Sequence, residues 1–154
     1  AEDMGTCASG PPTDQRGVDR PQGIGCDVGA VETIPVPPVY GLALSGGGTL
    51  AGVPDTAVAH TLTLTNTGNI TDTIDLSLGT AVWPVQLSQS SVTLAAYAST
   101  TVTVVVNIPA NTWGGEVDSV SVSAVSQGDA NQTAVVVLTT RVNYLNYLPL
   151  VIRP

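Results

Sequence analysis

TAVAHTLTLT, residues 56–65, decides the fold. From Thr61 onward threonine and leucine alternate, so Leu62 and Leu64 share one face while Thr61, Thr63 and Thr65 share the other. A period of two marks a strand with one buried side, whereas a helix needs apolar residues at i, i+3 and i+4. The same texture runs through the chain from Tyr40, giving candidate strands 40–45, 56–65, 70–78, 84–88, 91–94, 99–108, 117–126 and 133–142. It points Ile74, Leu76 and Leu78 inward, then Val102, Val104, Val106 and Ile108, then Val120, Val122 and Ala124. SGGGTLAG, NTGN, PANTWGG and SQGDANQ separate these runs as turn signals. No window holds helical spacing over three turns.

Short strands with one apolar face each are satisfied by two sheets packed face to face. The expected fold is therefore all-β, an Ig-like antiparallel β-sandwich over residues 40–142, with an irregular N-terminal extension and a strand-like C-terminal tail. A Cys…Trp…Cys pattern is absent from these runs, which excludes an antibody-type domain and leaves the wider Ig-like or fibronectin-like class.

Residues 1–39 are rich in Gly and Pro and hold no sustained alternation, and PVPPV at 35–39 reads as an extended connector. The opening AEDMGTC has neither an initiator Met nor an apolar leader and reads as a mature or cleaved product. The two cysteines, Cys7 and Cys26, lie in this stretch. In a secreted chain they read as a disulfide, worth about 3 kcal/mol through loop closure; the alternative is a pair of reduced thiols. At the far end, 143–154 (NYLNYLPLVIRP) is apolar where termini are usually polar.

Among 154 residues there are 4 basic and 12 acidic ones, a formal net charge of −8, and no Lys. That charge repels phosphate backbones and anionic lipids, which disfavours nucleic-acid and membrane-surface partners. The longest apolar runs fall short of the roughly 20 residues needed to span a bilayer, so no membrane insertion is expected. Only 10% of the chain is charged, so Ser, Thr, Asn and Gly must cover much of the surface, as suits an extracellular protein better than a cytosolic one.

Two longer stretches and one short one resemble known families. Residues 64–126, from LTNTGNITDT through the Trp83 segment and QLSQSSVTL to TVTVVV and the Pro109 loop, resemble the NEW-type or CARDB-like Ig modules of bacterial surface proteins and glycosidases. That resemblance implies a spacer, adhesion or accessory domain without shared catalytic residues, and it places Trp83 in the core. Where such modules usually carry a Pro-Gly turn this chain has Tyr97, and where their later loop is small it has Trp113. TDQRGVDRPQGIGCDVGAVE, residues 13–32, is similar to the last coil of right-handed β-helix surface proteins that begin with a CSLREA motif. A coil of that kind does not bury its apolar face alone. YLPLVIR is similar to a C-terminal signature on exported proteins of Chloroflexota.

Chemistry is sparse. His60 is the single histidine and sits inside an apparent strand with alternating apolar neighbours, where a structural role is expected. With no Lys and no second His, no nucleophile–base pair can be drawn. Asp72 and Asp75 fall on opposite strand faces, and Glu116 and Asp118 read as solvated surface beside a turn. GGG at 46–48 lacks the GK[ST] of a phosphate loop and reads as a hairpin or loop. Asp14, Arg16, Asp19, Arg20, Asp27 and Glu32 read as local ion pairs or backbone caps. No metal, cofactor or catalytic residue is expected. Tyr97 and Trp113 are candidate interface aromatics at opposite ends of the strand 99–108. Asn69 and Asn131 head N-x-Thr glycosylation sequons.

The function expected is that of a non-enzymatic structural subunit of an extracellular filament or surface assembly, a homopolymer joined head to tail. Its assembly residues are Tyr144, Leu145, Tyr147, Leu148, Leu150, Val151 and Ile152, with Tyr144, Leu148, Leu150 and Ile152 facing a core and Pro149 at an edge position. The alternative is an accessory Ig-like module of a larger secreted protein, with polysaccharide binding through Trp113 as a further reading.

Overall fold

The computed structural model describes residues 11–22, 25 and 36–144. The chain divides into two compact units, 1–37 and 38–154. Cys7 and Cys26, and the tail beyond Tyr144, lie outside the described residues.

In the first unit Thr13 and Asp19 form an antiparallel bridge. Asp14 sits inside the turn between them. One carboxylate oxygen accepts the backbone N–H groups of Arg16 and Val18 at 2.7 and 3.0 Å, and the other pairs with the Arg16 guanidinium at 3.0 Å.

The second unit is an Ig-like sandwich of nine strands: β1 Leu42–Gly46, β2 Gly48–Gly52, β3 Ala57–Asn66, β4 Asp72–Leu78, β5 Val85–Leu87, β6 Ser91–Leu94, β7 Ser99–Asn107, β8 Val117–Ser126 and β9 Thr133–Val142. One sheet has the order β1-β3-β7-β5, the other β2-β9-β8-β4-β6. The alternation read from the sequence is the alternation of burial: Leu62, Leu64, Ile74, Val102, Val104, Val122 and Ala124 lie wholly inside, and Leu76, Val106, Ile108 and Val120 nearly so. Leu78 is half-buried and packs at the margin of this core. A second cluster gathers Val58, Val106, Ile108 and Val142 around the buried Trp83.

The glycine run corrects the sequence reading. Gly46, Gly47 and Gly48 all hold positive φ, between 90° and 99°, a region that side chains rarely tolerate. They do not close a hairpin. They carry one extended strand across from the first sheet, where β1 is antiparallel to β3, to the second, where β2 runs parallel to β9. β2 falls within the segment SGGGTLAG that reads as a turn, and four of its five residues are exposed.

Strand directions fix two poles. At the N-terminal pole lie the start of β1, the β3–β4 loop, the β6–β7 turn and the β8–β9 loop. At the C-terminal pole lie the β2–β3, β4–β5 and β7–β8 loops and the end of β9. The sandwich thus takes in its chain at one pole and releases it at the other.

Candidate functional site

Among the described residues, the two most exposed aromatic groups stand at the C-terminal pole and line one cleft. The β7–β8 loop is held by short internal bonds: Thr112 donates its hydroxyl to the Pro109 carbonyl at 2.8 Å, and Glu116 accepts the Trp113 N–H at 3.1 Å. The backbone under Trp113 is therefore fixed while its indole is 78% exposed. The departing chain is tied to both neighbours, since Gly115 donates to the Val142 carbonyl and Asn143 to that of Gly52, each at 2.8 Å. Tyr144 follows, 74% exposed, with its ring against Gly114 and Gly115. A Cβ on Gly114 would stand 2.8 Å from the Tyr144 ring, and Gly115, at φ 91°, would overlap its hydroxyl end. Two glycines make the seat for this tyrosine.

Trp113 and Tyr144 wall an open cleft of ≈ 520 Å³ whose other lining includes Pro54, Asn111, Thr112 and Asn143. Among the described residues no carboxylate, guanidinium or imidazole lines it, although the chain carries a net charge of −8. At the same pole, Asp118 accepts the N–H groups of Val82 and Trp83 at 3.1 and 2.8 Å, which anchors the loop that buries Trp83. Glu116 is exposed and Asp118 half-buried beside the turn, and through these bonds they also order the β7–β8 and β4–β5 loops.

The N-terminal pole is closed by side chains bonded to main chain. The buried Asn66 amide donates to the carbonyls of Ile70, Leu94 and Ala95 at 2.8, 3.1 and 3.1 Å and accepts from Gly68 at 2.9 Å. This explains the NTGN motif, whose first Asn joins two turns that are distant in sequence. Asn69 accepts the Val39 N–H at 2.7 Å, so this sequon side chain already holds the incoming strand. Asn131 is exposed and donates its amide to Asp129 at 2.9 Å. The backbone N–H of Asn131, with the amides of Gln132 and Asn131, holds the Asp129 carboxyl below the usual carboxylate range. Tyr97 stands at φ 61° in the β6–β7 turn, 70% exposed.

Between the sheets, His60 of β3 is 1% exposed and bonds through Nε2 to the Thr140 hydroxyl of β9 at 2.9 Å; its Nδ1 has no partner among the described residues. Burial pushes the imidazole pKa down. Among the described residues no group of three or more His, Cys, Asp or Glu side chains is arranged to hold a metal ion, and no helix is long and apolar enough to cross a membrane.

Tyr97 and Trp113 thus stand at different poles, and the residue that joins Trp113 is Tyr144. The sequence places Tyr144 in the register of a tail strand that faces the core of a neighbouring copy; within this chain its ring is exposed. β9 ends at Val142, and Asn143 still bonds to Gly52 beyond it. Leu145, Tyr147, Leu148, Leu150, Val151 and Ile152 lie outside the described residues.

No protein-family model matches the chain, and no curated protein does. Among solved structures, the chain is similar to part of a family 123 glycoside hydrolase from Clostridium perfringens, with a TM-score of 0.56 at 7% identity. The match covers 70% of this chain and 28% of that one. A PapD-like domain of human CEP192 gives a TM-score of 0.49 at 13% identity over 77% of this chain and 94% of that domain. The E. coli chaperone DraB gives 0.47 at 13% identity, covering 68% and 55%. At such identities the likeness is one of fold.

Proposed function

We propose that this chain is a non-enzymatic structural module of an extracellular filament or surface assembly, and that copies join head to tail through the C-terminal tail. The observation that carries this reading is the polarity of the sandwich. Its chain comes in at one pole and goes out at the other, and the outgoing segment is apolar and starts beside Trp113 and Tyr144. A contact between a tail and a different surface of the next copy is heterologous, and repeated without closure it makes a fibre. Sparse charge and absence of Lys fit an exported protein. In the finer form of this reading, residues 13–32 are the end of a β-helix coil closed by a Cys7–Cys26 disulfide, and the sandwich is of the NEW or CARDB-like kind.

Truncation after Tyr144 tests the reading, because every strand of the sandwich is retained. Negative-stain microscopy and sedimentation should show assemblies from the full chain and monomers from the truncated one. Fibres from the truncated chain, or monomers from both, would overturn it.

The cleft supports a second reading, an accessory module that binds a neutral polysaccharide. Aromatic faces with amide and hydroxyl groups suit uncharged sugars, and the volume is that of an ordinary ligand site. Retention of Trp113→Ala on immobilised neutral polysaccharides should then fall; unchanged retention removes this reading.

A further inference from the structure

The two lateral sides of the sandwich differ in how their edges are protected. One side is formed by β5 and β6, of three and four residues, and β5 starts directly after Pro84. The other is formed by β1 and β2, five residues each, which run on from one another through Gly47. Natural sheets blunt long edges with Lys, Pro, bulges or inward charges, because unpaired N–H and C=O groups recruit further strands. The stretch 42–52, LALSGGGTLAG, has no charged residue and no proline. Among the described residues no strand pairs with the outer side of β1 or β2, and Ala43, Ser45 and Gly46–Ala51 are exposed.

We infer that this edge is the acceptor for the tail of a second copy, an inference that rests on the head-to-tail reading above and names the surface it needs. The match lies in where each partner is broken. The acceptor is split at Gly47, where it changes sheets, into 42–46 and 48–52. The tail is split at Pro149, which offers no N–H to a ladder, into 144–148 and 150–154. With Pro149 opposite Gly47, each half of the tail extends one sheet, and the proline falls where the acceptor leaves its own ladder.

The molecule's own tail would meet this edge less well. β9 lies inside its sheet, between β2 and β8, so the departing chain would have to pass around the end of β2. That detour spans two strand spacings, about 10 Å, and uses roughly three residues, which shifts Pro149 into the middle of β2. Tyr144 also seats against the β7–β8 loop, on the side of β9 away from β2.

The test uses the full chain. Hydrogen exchange should show 42–52 slowing when concentrated protein assembles, and fast again on dilution to monomers. The double variant Ala43→Lys/Ala51→Lys, which adds charge at exposed edge positions, should lose assembly with an unchanged thermal midpoint. Assembly by this variant, slowing confined to β5, β6 or the cleft, or slowing of 42–52 at every concentration, each overturns the inference. If the variant still assembles while truncation after Tyr144 abolishes assembly, the head-to-tail reading stands and only its acceptor is wrong.

Discussion

At the N-terminal pole polar side chains reach inward to main-chain groups, Asn66 to three carbonyls and one N–H, Asn69 to Val39, Asp129 to its own loop. At the C-terminal pole the loops are held by a few short bonds, and the large side chains, Trp113, Tyr144 and Val82, turn outward. The first arrangement satisfies groups that would be costly to bury unpaired. The second leaves apolar surface in water, which stabilises nothing in the isolated molecule. The difference is one of weight: side-chain bonds to main chain dominate the N-terminal pole, where Tyr97 is the one exposed aromatic described, while two, Trp113 and Tyr144, gather at the C-terminal pole.

The sharpest way to break this contrast is to remove the amide that closes the N-terminal pole. Asn66→Ala takes the acceptor from the buried Gly68 N–H and a donor from the carbonyls of Ile70, Leu94 and Ala95, the last of which keeps the Ala98 N–H, at a cost of about 3 kcal/mol. Urea unfolding measures it. A loss under 1 kcal/mol would mean that the turns hold themselves and that the pole is no more fixed than its opposite.

Acid sharpens the comparison next, since His60 joins the sheets between the poles. Burial lowers its folded pKa below the unfolded value of 6.5, so between these two values the unfolded chain binds more protons than the folded one. Stability therefore falls as pH drops below about 6.5 and is unaffected by this group above it. His60→Gln should flatten that limb of the profile; a slope that persists in the variant would place its origin elsewhere.

How far these regions were legible in the sequence follows from the same physics. β3, β7 and β8 could be read because one face of each is buried, and burial imposes alternation on Leu62, Leu64, Val102, Val104, Val120 and Val122. β2 could not, because GTLAG lies at an edge with most residues exposed, and no face selects its residues. Gly46–Gly48 read as a turn because positive φ serves a turn and a change of sheet equally well. The meeting of Trp113 with Tyr144 was within reach. In the β8–β9 hairpin Val117 is paired with Arg141, and counting that register onward sets Tyr144 opposite Gly114.

A smaller effect belongs to the C-terminal pole itself. Asp118→Ala removes the acceptor of Val82 and Trp83, one of them exposed, so about 1 kcal/mol should be lost, well below the figure for Asn66. A loss equal to that of Asn66→Ala would erase the asymmetry between the poles.

The smallest expected effect tests the contrast most directly. Trp113 is the largest side chain at either pole that is mostly in water, and its backbone is held by Glu116 and the loop, not by its ring. Trp113→Ala should leave urea unfolding within about 0.5 kcal/mol of the parent, as exposed substitutions do. The buried Trp83, packed with Val58, Val106 and Ile108, is the internal control: Trp83→Ala in the same assay should cost about 3–5 kcal/mol. The two tryptophans lie at the same end of the sandwich, so a difference between them isolates burial from position. If Trp113→Ala is nearly as damaging as Trp83→Ala, the indole is part of the fold, and the C-terminal pole is closed like its opposite, with no aromatic surface left over for a partner.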